Sequence, residues 1–230
     1  MELCVALDMP SMDENLTLVR SLAKYNIWLK VGFRSYIRDG NIFIREIKEI
    51  NPNFKIFLDL KLYDIPNTMA DTAESIASLH VDMFNVHASA GKVAMQAVMQ
   101  RLKKFDNRPI VLAVTALTSF NNHDFKEIYG FDIKQKADQF AIDAYESNLD
   151  GVVCSAHESI SIKNMTSNSF ITLTPGIRPF GEDSQDQQRV ADLEFAKNAN
   201  IDFIVVGRPI YNSINPQDKV EKILQHIVAK

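Results

Sequence analysis

Phe57-Leu58-Asp59-Leu60-Lys61-Leu62-Tyr63-Asp64-Ile65-Pro66-Asn67-Thr68 is the stretch on which the rest of the chain turns. It starts as an apolar strand and is then interrupted by Asp59, Lys61, Asp64 and Thr68. Side chains alternate faces along a strand, so Asp59 and Lys61 fall on one face and Leu58, Leu60 and Leu62 on the other. Opposite charges on the face away from a leucine row are costly to bury unless they are paired. Lys61 follows one carboxylate by two residues and precedes another by three. That setting keeps its ammonium protonated and fixed in place, as a proton donor requires. Taken alone, the pattern also reads as a structural ion pair at a strand end; its place in the chain decides between the two.

Short apolar runs recur on both sides of it, at 3–7, 27–32, 55–58, 81–88, 110–115, 151–154, 170–173 and 203–206. Helical patterns alternate with them. One spans 11–24, opened by the capping-box pair Ser11 and Glu14. Another spans 34–50, with a break near Gly40. A third is capped by Asn67 or Thr68 and runs to 79. Others cover 92–104, 134–147 and 158–163, and Asn215-Pro216 opens a last one. The segment around Asn121-Asn122-His123 reads only as polar. Strands alternating with helices imply a parallel sheet with crossover helices. Eight such units in 230 residues fit an α/β fold of the (β/α)8 (TIM) barrel type, as a single domain over residues 1–230. A doubly wound open sheet is the alternative.

Apolar residues make up 46% of the chain, enough for a sizeable core, and the formal net charge is −4. No basic tract or acidic block stands out, so neither nucleic acid nor a membrane surface is an expected partner. Cys4 and Cys154, the only cysteines, lie in apolar runs without metal-ligand spacing and read as buried residues of a reducing compartment. Met1-Glu2-Leu3 leads straight into the first run, which leaves no room for a signal peptide. No apolar run approaches the roughly 20 residues of a membrane-spanning helix. A cytoplasmic protein is the expectation.

The polar residues fall in a telling place. Asp8, Lys30, Asp59, Lys61, Thr118, Arg178 and Arg208 all lie at or just after the C-terminal end of an apolar run, the rim where such barrels build their active sites. Asp8, Lys30, Asp59, Lys61 and Asp64 bring three carboxylates and two ammoniums to three neighbouring strands, near charge balance. Pro175-Gly176-Ile177-Arg178 and Gly207-Arg208, after the seventh and eighth runs, combine glycine for close backbone approach with arginine for bidentate phosphate contact. Those loops are the usual phosphate site of the fold. The polar segment 179–188 between Arg178 and Arg189 reads as a lid or as a plain surface loop. His87, on the fourth rim, reads as a ligand contact or, preferably, as a satisfied core histidine, and no histidine has metal-site spacing. Neither Gly-x-Ser-x-Gly nor a strand-linked Gly-x-Gly-x-x-Gly occurs, so no dinucleotide cofactor is expected.

Asp59-Leu60-Lys61-Leu62-Tyr63-Asp64-Ile65-Pro66-Asn67-Thr68 resembles the signature of the orotidine 5′-phosphate decarboxylase family. The likeness covers nearly the whole chain. Asp8 is similar to the family's ribose-contacting aspartate, Lys30 in Lys-Val-Gly to its second-strand lysine, and Thr118 to its pyrimidine contact. Arg178 and Gln187, with the segment between them, resemble its phosphate loop, and Gly207-Arg208 the end of its phosphate site. Tyr63 and Ser89-Ala90-Gly91 depart from the usual residues without touching the charged set. The resemblance implies a cofactor-free, metal-free decarboxylation of orotidine 5′-phosphate to UMP and CO2, the last step of de novo pyrimidine synthesis, with Lys61 protonating C6. It also implies a homodimer in which Asp64 and Thr68 act from the other subunit. Related sugar-phosphate decarboxylases share Asp-x-Lys-x-x-Asp but use Mg²⁺; Ile65-Pro66-Asn67-Thr68 and the Arg178–Gln187 segment favour the nucleotide enzyme. A non-catalytic phosphate-binding barrel remains as a third reading.

Overall fold

The computed structural model describes residues 1–183 and 189–228. Its strands are β1 (Glu2–Ala6), β2 (Trp28–Gly32), β3 (Lys55–Leu62), β4 (Met83–His87), β5 (Ile110–Val114), β6 (Gly151–Val153), β7 (Ile171–Thr174) and β8 (Phe203–Val206). Each pairs in parallel with its sequence neighbours, and β1 pairs with β8 to close the barrel. The connecting helices are α1 (Met12–Ser21), α2 (Phe33–Ile50), α3 (Pro66–Ala77), α4 (Lys92–Leu102), α5 (Asn122–Tyr129), α6 (Ile133–Glu146), α7 (Ser159–Met165), α8 (Leu193–Asn198), α9 (Arg208–Tyr211) and α10 (Pro216–Val228). The expected eight-stranded (β/α) barrel is therefore formed.

Both faces of these strands are apolar because a parallel barrel is covered on both sides. Leu3, Val5, Leu29, Phe84 and Val86 point outward under the helices. Cys4, Trp28, Phe57, Met83, Leu112 and Phe203 fill the interior. The two-residue period then carries each inward row upward, from Trp28 to Lys30, from Phe57 to Asp59, and from Met83 to Asn85 and His87. The polar groups of the rim thus stand on an apolar plug, with no open pore beneath them.

The local signals account for most boundaries. Ser11 and Glu14 make the reciprocal capping box of α1, and Gly40 interrupts α2 at φ 59°. The third helix starts earlier than Asn67 or Thr68, at Pro66, whose missing N–H costs nothing at a first helical position. The polar 121–123 segment is a helix start: the Asn121 side chain accepts the Asp124 N–H and opens α5. The short helix α8, capped by Asp192, has too few residues to show a period.

At the N-terminal end of the barrel one device recurs. Asp82, Asp150 and Asp202 each stand just before a strand. Each accepts a backbone N–H from the preceding strand of the barrel (Ile56, Val111 and Thr172, all at 2.8 Å). Each also pairs with a base, Lys48 at 3.3 Å, Arg108 at 2.6 Å and Lys163 at 2.8 Å. These clamps lie far from the rim and serve the fold.

Candidate active site

The C-terminal ends of β1, β2 and β3 place four charges in alternation. Lys30 Nζ lies 3.4 Å from Asp8 Oδ1 and 3.3 Å from Asp59 Oδ2, and Lys61 Nζ lies 2.6 Å from Asp59 Oδ1. Lys30 takes the place between the two carboxylates. Its side chain is 12% exposed and that of Asp59 13%, whereas Lys61 keeps 35% toward the cavity. Burial by itself would raise the Asp59 carboxyl. The charges of Lys30 and Lys61 more than offset this and, with a hydrogen bond from Asn85, lower it to about 2. Burial would likewise lower the Lys30 ammonium, and the Asp59 and Asp8 carboxylates raise it well above the usual lysine value. Both groups are therefore charged at neutral pH, fixed before any ligand arrives.

The surroundings hold this chain in place. The loop bearing Asp8 is pinned by the buried Asn15, which accepts the Met9 N–H at 3.2 Å and donates to the Ser11 carbonyl at 3.0 Å. Ser35 donates to the Leu7 carbonyl at 2.7 Å. Gly32 leaves the room the charges occupy: a Cβ there would stand 2.9 Å from both Asp8 Oδ1 and Lys30 Nζ.

Lys61 departs from the plain alternation expected of a strand. Its φ is 53°, in the left-handed region that non-glycine residues avoid at a cost of about 1–3 kcal/mol. The pairing of β3 with β4 shifts register between Leu58 and Leu62, so the strand bulges where the charges sit. Asp59 and Lys61 do share the cavity, but by a bulge. Asn85, fully buried on β4, accepts the Lys61 N–H at 2.7 Å and donates to Asp59 Oδ1 at 2.8 Å. In the sequence Asn85 marks, with His87, the end of the fourth run and has no assigned role; its position between Met83 and His87 on an inward row was the available signal.

Asp8, Lys30, Asp59 and Lys61 line one side of a cavity of about 280 Å³, and Thr118, Arg178, Gly207 and Arg208 line the rest of its rim. Arg178 is 6% exposed, and its Nε donates to the Asp183 carbonyl at 2.7 Å, which orients the guanidinium. Gly176 has φ 78°, a conformation glycine adopts readily. A Cβ at Gly207 would press on Ala6 and Tyr211 at 3.3 and 3.4 Å. Arg189 is a second residue the sequence reading missed. It pairs with the buried Glu158 and donates to the Ala116 and Leu117 carbonyls at 3.2 and 3.4 Å, tethering the loop that carries Thr118. Glu158 also accepts the Ser155 N–H at 3.0 Å, which holds its carboxylate in place for Arg189.

Not every expected residue gathers here. Asp64 is exposed and its carboxylate accepts the Ile65 N–H at 2.7 Å; Thr68 is exposed on α3, and neither lines the cavity of its own chain. Gln187 lies outside the described residues. His87 accepts from Ser89 and its imidazole is lowered, by burial and then by the charge of Lys61, so it is a neutral, satisfied neighbour. Among the described residues no group of three or more His, Cys, Asp or Glu side chains is gathered as metal ligands would be. No described helix is long and apolar enough to cross a membrane.

Residues 1–223 match the model of the orotidine 5′-phosphate decarboxylase / HUMPS family. Orotidine 5′-phosphate decarboxylase of Sulfurimonas denitrificans is 71% identical over 227 residues, covering 99% of this chain and 100% of that protein. Its counterpart from a Nitratiruptor species is 67% identical over the same shares of the two chains. The crystal structure of orotidine 5′-phosphate decarboxylase from Lactobacillus acidophilus is similar with a TM-score of 0.86, at 29% identity over 99% of both chains.

Proposed function

The chain belongs to the orotidine 5′-phosphate decarboxylase / HUMPS family, and from that premise we propose that it decarboxylates orotidine 5′-phosphate to UMP and CO2 without cofactor or metal. The observation that carries the reading is the alternating Asp8–Lys30–Asp59–Lys61 chain at one side of a cavity whose other end holds Arg178 and Arg208. The arginines and the Gly176 and Gly207 backbones take the phosphate, Asp8 the ribose, and Thr118 the pyrimidine. Gln187, by the family resemblance, is a further phosphate contact. The C6–carboxylate bond breaks, CO2 leaves, and the electron pair stays on C6. The Lys61 ammonium stabilises that pair and gives it a proton, leaving a neutral amine that solvent reprotonates. Asp59, beside the departing carboxylate, keeps Lys61 aimed, and Lys30 balances Asp59.

On this reading the working unit is a cytoplasmic homodimer. Asp64 and Thr68, turned away from their own cavity, enter the partner's site with Asp64 beside its Lys61. The exposed Tyr63 and Ile65 flanking Asp64 give that face apolar area to bury.

The test is the ultraviolet absorbance of orotidine 5′-phosphate mixed with the purified protein in EDTA, beside Lys61→Ala. Substrate loss with the native protein, and its collapse in a variant that still binds UMP, is the expected result. Loss only after Mg²⁺ is added would make the chain a metal-dependent relative, and no loss at all would leave a phosphate-binding barrel. Sedimentation at micromolar concentration gives a dimer; a monomer with full activity refutes the shared site.

A further inference from the structure

We infer that Asn85 is a positioning residue for the reaction, one that sets the aim of Lys61 through its backbone; the inference rests on the function proposed above. Leu58 pairs with Phe84 and Leu62 with Val86, so Asp59, Leu60 and Lys61 stand opposite Asn85 alone. The bulge takes the Lys61 N–H out of the strand ladder, and a buried amide left without an acceptor is costly. The Asn85 side chain supplies that acceptor at 2.7 Å. Its other end reaches Asp59 Oδ1 at 2.8 Å, the same oxygen that receives Lys61 Nζ at 2.6 Å.

The chemistry of the two ends singles out asparagine. A backbone N–H only donates and a carboxylate only accepts, so the bridge needs one acceptor and one donor on a short side chain. Asparagine provides both without charge. Aspartate offers two acceptors and meets Asp59 with like charge unless it carries a proton. Leucine has a similar size and provides neither. Asn85 is fully buried, one strand away from the reacting groups, and touches the lysine only at its backbone. It holds Lys61 in its left-handed conformation (φ 53°) and fixes the carboxylate that receives the lysine's ammonium.

The test uses the full-length protein and the same ultraviolet assay. In Asn85→Leu, kcat falls by at least about tenfold, toward the hundredfold that a misplacement of about 1 Å costs. KM stays within about threefold, because the arginines at the phosphate end are untouched. Asn85→Asp gives the signature that a packing role would not. The charged groups near position 85 are Asp59 and Lys61 on β3 and Lys30 on β2 beyond Asp59, with the neutral, titratable His87 on β4 itself; β5 brings the apolar Leu112 and Val114. Lowering the pH protonates the introduced carboxyl, which then donates to Asp59 as the amide did. The ratio of variant to native kcat therefore rises as pH is lowered from 8 to 5. A ratio that does not change with pH, or an Asn85→Leu protein with native kcat, overturns the inference. A third readout needs no variant: the Lys61 amide hydrogen of the native protein exchanges slowly with solvent, and exchange as fast as an exposed loop amide overturns the inference even if the variants fail to fold. A native protein that leaves orotidine 5′-phosphate intact would refute the proposed function instead, and the amide measurement would still report on the bridge.

Discussion

Replacing Gly32 by alanine moves the two charges nearest the start of the chain without disturbing the fold. Gly32 has φ −82° and ψ 170°, ordinary extended values that alanine adopts freely. The added methyl would stand 2.9 Å from Asp8 Oδ1 and from Lys30 Nζ. Non-bonded heavy atoms rest at about 3.5–4.0 Å, so each head must retreat by about 0.5–1 Å. Both are ends of flexible side chains, and they yield before the backbone does. Lys30 then loses its place between Asp8 and Asp59, and the aim of Lys61 drifts with Asp59. A misplacement of about 1 Å costs on the order of a hundredfold. The expected fall in kcat/KM is therefore about 10- to 100-fold, or about 1.4–2.7 kcal/mol of barrier. Stability moves the other way, since glycine to alanine at a compatible site gains about 0.4–1 kcal/mol through the unfolded chain. The assay pairs initial rates of orotidine 5′-phosphate loss with thermal unfolding. Native kcat/KM in Gly32→Ala would refute the argument that Asp8 and Lys30 need this space. A rate loss matched by a lowered Tm would show that the backbone yields instead.

Arg208→Ala lowers kcat/KM by more than about tenfold, roughly 1.4 kcal/mol, because phosphate binding energy is realised in the chemical step; a smaller loss counts against it, and kcat and KM measured separately show the division. Acid weakens the fold through Asp59, whose carboxyl titrates at about 2 in the folded protein against 3.8 for the free group. A lowered folded value means stability that is complete above pH 3.8 and lost as the pH falls from there toward 2. Urea unfolding of native protein and Asp59→Asn across that window checks this, and an equally steep acid decline in the variant refutes it. Asp202→Ala leaves Lys163, 4% exposed, without its carboxylate. Asp202 is itself 36% exposed and Lys163 keeps the Asn168 and Phe170 carbonyls, so the loss is about 1–3 kcal/mol and Tm falls by about 5 °C; kcat at 25 °C is unchanged, and a stable variant would show the clamp to be idle.

The barrel was legible because its information is periodic. Each apolar run ends in a polar or glycine residue, and the rows that carry Trp28 to Lys30 and Phe57 to Asp59 are written at a spacing of two. Asn85 obeys the same rule. It escaped notice because an asparagine between Met83 and His87 has no charge to draw attention, and its role depends on a bulge in the neighbouring strand. The bulge itself leaves no mark: Asp59-Leu60-Lys61-Leu62 alternates as a regular strand would, yet Lys61 reaches the cavity through a left-handed turn. Arg189 was hidden for a different reason. Its partners Glu158, Ala116 and Leu117 are distant in sequence, and the side-by-side pairing of β5, β6 and β7 within the closed barrel brings their loops together.

That closure also divides the labour. On the proposed function, β1 to β3 carry the charges and β4 the Asn85 that aim and balance Lys61, while the ends of β7 and β8 carry the arginines and glycines that grip the phosphate. The loop after β5, tied down by Arg189, spans the space between. Within one subunit the Asp8–Lys30–Asp59–Lys61 chain is neutral as a whole, and the Asp64 proposed to enter from the partner adds one negative charge, so this end offers an anion no net attraction. The positive charge proposed to draw the phosphate comes from Arg178 and Arg208 at the other end. On the proposed function, the asymmetry of the rim orients the substrate, with its phosphate toward β7 and β8 and its reacting carbon toward β3. Variants at Gly32 and Asn85 should therefore alter the chemical step with little change in phosphate affinity. Variants at Arg208 reach both, since the grip at one end holds the carbon against the lysine at the other.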